Sequence, residues 1–239
     1  MRRIAAFSIL VILSGFVLSN GASLDSPAPK TEFVYARIRY HMTRDAVFVR
    51  EVPWHHDYPF GDETLPTFVK EVTGTNTKSD SYQIVDIDSP ELFDFPFAYL
   101  CEPGYLNLNE KDTKNFREYL DRGGFVFVDD FRGPRHLDNL VMEMKKVYPD
   151  RDIVRLDISE PIFNSFYKIE SLDMAPPYGN MPVEFLGLKD KEGRLQMIIN
   201  YNNDLSEFWE WLDRGEIPLS ATALSLKLGV NYLVYAFTH

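Results

Sequence analysis

The sequence predicts an α/β protein: an open, doubly wound, mainly parallel sheet with a C-terminal hairpin and helices. Three observations carry this. Short β-forming runs alternate with helical patterns from Phe33 to Leu156, as successive βαβ units require. Phe125-Val126-Phe127-Val128 is continuously apolar, the mark of a strand covered on both faces. Beyond Leu156 the pattern changes to two apolar runs, Val183 to Leu188 and Leu195 to Tyr201, around the turn Asp190-Lys191-Glu192-Gly193.

The first strand is Phe33 to Tyr40, rich in aromatic and β-branched residues. His41 to Asp62 is aromatic and aperiodic and reads as a long loop. Leu65, Phe68, Val69 and Val72 stand at helical spacing, and Thr73-Gly74 ends that helix. Gln83 to Ile87 and Phe97 to Leu100 are two further strands, the second apolar enough to be central. Asn109 is a plausible N-cap, with Glu110 and Asp112 where the helix dipole favours acids. Phe116, Tyr119 and Leu120 give that helix a buried face, and Gly123-Gly124 closes it. Asp129-Asp130 stand where the strand Phe125 to Val128 ends. Leu137 to Val147 is the next helix, Asp152 to Leu156 a short strand, and Leu205 to Leu212 and Ser220 to Phe237 complete the helices.

The amino terminus has the layout of a secretory signal peptide over residues 1–22: basic Arg2-Arg3, apolar Ile4 to Leu18, then small residues to Ala22. The apolar run is shorter than the ~20 residues a membrane span takes, so the reading is cleavage near Gly21 or Ala22 rather than a retained anchor. Residues 23–31 form a Pro-bearing linker and residues 32–239 one domain. The predicted location is secreted or periplasmic, with no membrane span after cleavage. Lys and Arg number 25 against 36 Asp and Glu, a net charge of −11 that repels phosphate backbones and argues against nucleic acid. A single cysteine, Cys101, excludes an internal disulfide and multi-cysteine zinc or iron–sulfur sites.

Ligands of open α/β sheets bind outside the carboxyl ends of the strands. This selects Arg39 and His41, then Cys101 and Glu102, then Asp129, Asp130 and Arg132. Two carboxylates after a buried strand cost desolvation unless paired, metal-bound or wet. On an extended chain they diverge, so one faces the crevice. The structural alternative is that Asp130 caps the next turn while Asp129 pairs with an arginine such as Arg132. Trp54-His55-His56-Asp57-Tyr58-Pro59 carries two histidines, but adjacent side chains diverge and no HxH or HxxxH spacing occurs, so a surface loop without metal is expected. Cys101 has no neighbouring histidine and reads as structural. Asn200 to Asp204 suits a tight turn or the hydroxyls of a polar ligand. Trp209 and Trp211 with Glu207 and Glu210 suit either packing or a sugar site. No G-x-S-x-G, P-loop or G-x-G-x-x-G is present.

The run Gly123-Gly124-Phe125-Val126-Phe127-Val128-Asp129-Asp130-Phe131-Arg132-Gly133 resembles the core motif of the DUF4159 family. Arg37-Ile38-Arg39-Tyr40, Trp54 with Asp57-Tyr58-Pro59, Tyr148-Pro149 and Pro161-Ile162-Phe163 extend the resemblance. So do Asn202-Asn203-Asp204, Trp209-Glu210 and the stretch from Gly229 to His239. It covers roughly Glu32 to His239. Ser159-Glu160 stands where many relatives carry His-Pro, which weakens any role for a histidine there. The resemblance implies a flavodoxin-like fold similar to class I glutamine amidotransferases and the ThuA-like group, and no established activity. In amidotransferases the nucleophilic cysteine follows the buried strand. Here Asp130 or its neighbour stands in that place, so glutaminase chemistry is not expected.

The resulting expectation is an exported domain that binds a small polar ligand, a carbohydrate among the candidates, at the carboxyl edge of the sheet. Asp129 and Asp130 are the candidate catalytic residues. Arg39, Asp57, Glu102, Arg132, Asn202, Asp204 and His239 are the candidate ligand contacts. No metal set and no cofactor is indicated. The alternatives are a carboxylate- or metal-dependent hydrolase using Asp57, Asp129, Asp130 and Asp204, and a non-catalytic module that binds an envelope protein.

Overall fold

The computed structural model describes residues 32–78, 80–212 and 218–239; the predicted signal peptide and linker lie outside the described residues. A seven-stranded sheet of order β2-β1-β3-β4-β7-β6-β5 forms the frame. Its strands are β1 (Tyr35–Arg39), β2 (Tyr82–Asp86), β3 (Phe97–Cys101), β4 (Phe125–Phe131), β5 (Ile153–Arg155), β6 (Glu184–Lys189) and β7 (Leu195–Tyr201). Neighbours from β2 through β1, β3 and β4 to β7 are parallel. The pairs β6–β7 and β5–β6 are antiparallel. The strand at Asp152 to Leu156, which the βαβ pattern placed in the parallel series, instead forms β5 at the antiparallel edge, while β7 of the hairpin joins the parallel strands beside β4.

Alternation along the central strands sends side chains to two cores. Phe97, Tyr99, Phe125 and Phe127 face one side, packed under α1 (Phe60–Thr73), α4 (Leu205–Glu210) and α5 (Leu219–Thr238). Ala98, Leu100, Val126 and Val128 face the other, under α2 (Glu110–Asp121) and α3 (Gly133–Val147). Helix ends follow their chemistry. Asn109 and Asp112 close a capping box on α2, and Gly74, at φ 73°, ends α1 in the left-handed conformation a Cβ disfavours. Gly229 is needed for a different reason: a Cβ there would meet Leu65 and Trp209 at 2.7 and 2.8 Å, so only glycine lets α5 lie this close to α1 and α4. Among the described residues, no helix is long and apolar enough to cross a membrane.

Two further features differ from the sequence expectation. The strand at Phe125 does not stop at Val128. It runs to Phe131 through a register shift at which Asp130 takes φ 56°. The loop His41 to Asp62 is more ordered than aperiodicity suggests: it holds short 3-10 turns at Arg44–Phe48 and Pro53–His55 and the first residues of α1.

Arg37 organises that loop. It is fully buried in β1 and grips Asp62 of α1 with Nε (3.0 Å to Oδ1) and Nη2 (2.5 Å to Oδ2). Its Nη1 donates to the carbonyls of Trp54 (3.2 Å) and His56 (2.9 Å), and its guanidinium lies 4.6 Å from the Tyr99 ring centre. Removing one partner of a buried ion pair strands the other charge, at a cost of about 3–5 kcal/mol. Arg37→Met or Asp62→Ala should therefore lower unfolding free energy by about that amount in urea titrations. Arg39→Ala, which breaks the exposed pair with Asp86, should cost no more than about 1 kcal/mol. Equal costs at the two arginines would contradict this account.

Candidate functional site

The carboxyl ends of β1, β3, β4 and β7 lie side by side, and the loops that follow them converge. His56 and Asp57 come from the loop that Arg37 anchors, Glu102 follows β3, Asp130 sits in the β4 bulge and Asp204 follows β7. Asp57, Glu102 and Asp130 have φ of 60°, 43° and 56°. Non-glycine residues held there cost ~1–3 kcal/mol each and gather at functional sites.

His56 Nδ1 lies 2.6 Å from Asp130 Oδ2 and 3.5 Å from Asp57 Oδ1. Ser206 Oγ is 2.6 Å from Asp57 Oδ2, 3.0 Å from Asp204 Oδ1 and 2.9 Å from the Tyr99 hydroxyl. Serine has one proton to donate, so it satisfies one carboxylate and the other must carry its own proton. Tyr178 donates to Asp204 Oδ2 at 2.8 Å. Asp204 Oδ1 also accepts the Glu207 N–H at 3.0 Å, capping α4. Asp129 lies beneath the site: its Oδ2 accepts the N–H groups of Leu205 (2.7 Å) and Ser206 (3.1 Å), while its buried Oδ1 has no hydrogen-bond partner.

The charges divide sharply. Burial works to raise the Asp130 carboxyl, but the hydrogen bond and charge of His56, with a hydrogen bond from Asp204 and the charge of Arg132, outweigh it and hold Asp130 below the ordinary carboxylate value. Its hydrogen bond to Asp130 raises His56 to about 10. Burial, then the charge of Asp130, lifts Asp57, Glu102 and Asp129 each to about 8 and holds Asp204 well above the usual range. Burial also raises Glu207. At neutral pH the site is one ionised aspartate, one imidazolium and a group of largely protonated carboxyls.

One ligand atom from each of His56, Asp57, Asp130 and Asp204 falls within 4.8 Å of the others, a spacing at which the four could hold a metal ion; Asp57, Glu207 and Glu210 form a second such group. Asp57 belongs to both. A cavity of about 580 Å³ opens over them, lined by His55, His56, Asp57, Tyr178, Glu207 and Trp211 among others.

Of the residues singled out from sequence, Asp57, Asp130, Asp204, Glu102 and Arg132 meet here. Arg132 Nη2 is 3.6 Å from Asp130 Oδ1 and 3.8 Å from Asp204 Oδ2. The expected pairing of Asp129 with Arg132 is replaced by the grip of Asp129 on the start of α4. Arg39 lies apart, with Asp86 as its ion-pair partner and Trp54 beneath its guanidinium. His41 pairs with Asp112. Asn202 works within the scaffold: its side chain accepts from Gly133 N–H and donates to the Pro182 carbonyl. His239 stacks on Tyr235, which packs on Phe125 and hydrogen-bonds Leu195 at the starts of β4 and β7, so it lies at the amino edge. Trp209 is buried against Phe127, whereas Trp211 lines the cavity. Cys101 is fully buried and burial pushes its thiol well up, which fits a structural cysteine.

His56, Ser206 and Tyr178 are the site residues that sequence reasoning missed. His56 reads as a surface histidine because the spacing rules compare local pairs, and its partners lie in other loops. Asp204 to Glu207 does carry a capping signal, acid to acid at the N-cap and third positions.

The fold and site define an α/β domain with a carboxylate–histidine cluster at the carboxyl edge of its sheet. The chain belongs to the family described as "Domain of unknown function (DUF4159)", whose model matches residues 35–237. A comparison with curated proteins gives no match.

These shifts set a pH dependence. The raised carboxyls favour folding while protonated, so their contribution is whole below their unfolded values near 4 and lost as pH rises to about 8. The raised imidazole of His56 contributes fully below 6.5 and loses its contribution toward pH 10. Melting temperature in chelator-treated buffer should therefore fall with rising pH, most steeply between 6.5 and about 8, and Asp57→Asn should flatten the fall. A melting temperature that rises through that window would refute the charge assignment.

Proposed function

We propose that this domain binds a small polar ligand at the carboxyl edge of its sheet through a divalent cation held by His56, Asp57, Asp130 and Asp204. The convergence of those four side chains, drawn from two separate loops and a strand bulge, carries the reading. Three carboxylates and one imidazole suit magnesium, manganese, calcium or zinc. An ion entering this set replaces the His56–Asp130 hydrogen bond with coordination and takes the place of the protons on Asp57 and Asp204. The cavity beside it, with Trp211 and Tyr178 as aromatic walls and Glu207 and Glu210 as acceptors, suits the faces and hydroxyls of a carbohydrate. A cation there lowers the pKa of bound water, so hydrolysis is the reaction class this reading supports. The strand order β2-β1-β3-β4 supports a flavodoxin-like arrangement, in which ligands gather at this edge. Glutaminase chemistry is no part of the reading: on an amidotransferase-like arrangement Asp130 or its neighbour would stand where the nucleophile is, and neither is a cysteine.

The test is a thermal melt of residues 32–239 with each divalent ion against a chelator control. An ion at a hundred times its dissociation constant should add about 2.7 kcal/mol of stability, and binding should release protons into weakly buffered solution. Asp130→Asn and Asp204→Asn should fold and lose the response. No response to any ion in the wild type, or an undiminished one in Asp204→Asn, would reject the cation. A melt shift with oligosaccharides that persists in chelator would put the ligand in the cavity without an ion. Export belongs to the same proposal, and amino-terminal sequencing of the expressed full chain should find a start near Gly21 or Ala22. An intact Met1 in the membrane fraction would contradict it.

A further inference from the structure

Arg132 and Tyr178 stand against carboxylate oxygens of Asp204 and Asp130, two groups that also hydrogen-bond each other. Asp204 Oδ1 is committed to Ser206 and to the cap of α4, so Oδ2 is the oxygen that can turn to an ion. Tyr178 donates to that oxygen at 2.8 Å, and Arg132 Nη2 stands 3.8 Å from it. Asp130 Oδ2 holds His56, and Arg132 Nη2 stands 3.6 Å from the other oxygen. The two residues also hold each other, with the Arg132 guanidinium 4.1 Å from the Tyr178 ring centre. Among the described residues, Arg132 is the one arginine or lysine ion-paired with the His56, Asp57, Asp130 and Asp204 cluster. Its hold is weak: both approaches exceed hydrogen-bond length, and its Nε is buried without a partner.

Tyr178 reaches the site on a segment, residues 165–183, that holds no helix or strand. One end is pinned by Asn231, which accepts from Phe166 N–H and Tyr167 N–H and donates to the Tyr167 carbonyl. The other is pinned where Asn202 donates to the Pro182 carbonyl. Met174 is buried near the middle, but no residue from Ala175 to Val183 is. A cavity of about 610 Å³ lies between this stretch and Arg155, Leu156 and Phe185. Thin packing over a void between two fixed ends marks a segment with a low cost of local opening.

We propose that Arg132 and Tyr178 form a displaceable plug, an internal counter-ion on the cation site, and that residues 175–183 are a strap that lifts when a cation enters. The proposal rests on the cation reading above. Strap and ion compete for Asp204 Oδ2, so each weakens the other, and the apparent affinity of the closed protein for ions is reduced by the fraction that is open.

The experiment is manganese titration by calorimetry of residues 32–239, wild type beside Tyr178→Phe and Arg132→Gln, with amide hydrogen exchange of the wild type with and without manganese. Tyr178→Phe removes the hydroxyl but keeps the ring under Arg132. Loss of one competing hydrogen bond to a carboxylate should tighten manganese binding roughly tenfold, and Arg132→Gln should tighten it in the same direction. Manganese should speed exchange across residues 175–183 while slowing it at the start of α4. Wild-type binding that is unchanged or weakened in a folded Tyr178→Phe, or a strap that becomes more protected with manganese, overturns the plug and leaves the cation site standing. No manganese binding by the wild type or either variant overturns both.

Discussion

One buried arginine holds this architecture to its site. Arg37 sits in β1 with no solvent exposure, and each nitrogen of its guanidinium is committed. Nε and Nη2 lock Asp62 of α1, and Nη1 fixes the carbonyls of Trp54 and His56. The planar fork is what lets one side chain serve a helix and a loop together. Lysine, a point charge on a flexible stem, could not do so. The turn that presents His56 and Asp57 is thereby fastened to the sheet from below, and the carboxyl edge acquires shape before any ligand is considered.

Above that anchor the molecule carries electrostatic and conformational tension. Four non-glycine residues, Asp57, Glu102, Asp130 and Asn202, are held at positive φ, and five carboxyls are raised while a neighbour, Asp130, is held ionised by His56. Stability alone would favour glycine at such φ values and amides at such carboxyls. Their presence together at one edge is the kind of local cost a scaffold carries where a site is needed. The scaffold can bear it because the adjoining strands are packed on both faces.

The sheet was legible because its signals are local. Phe125 to Val128 is unbroken apolar sequence, Asn109 and Gly123-Gly124 mark helix ends, and the Asp190 to Gly193 turn marks the hairpin. The strand-end rule then led to Asp57's neighbours Glu102, Asp130 and Arg132, since it needs only strands and their direction. It misplaced Arg39, whose side chain finds Asp86 of the adjoining strand, because the rule says where a residue stands and not with whom it pairs. His56 and Tyr178 were not legible: each acquires its meaning from a carboxylate in another loop, and Tyr178 arrives on a stretch without periodicity. The split between Asp129 and Asp130 depends on a bulge that no residue in the run announces.

The wide spacing of the site along the chain has a consequence for how the protein is made. Ser206 and Asp57, which share a hydrogen bond, are 149 positions apart, and Asp129 is tied to Leu205 across 76. Contacts of that separation close late, since loop entropy must be spent before they form. A ribosome that has released β4 has produced Asp57 and Asp130 but neither Asp204 nor the N–H groups that quiet Asp129. For that interval Asp130 has His56 but Asp57 lacks Ser206 and Asp129 lacks its N–H partners, and β7 and α4 must be made before the edge is complete. The site therefore closes late, after most of the sheet, and only α5, which packs against α1 and α4, is still to follow.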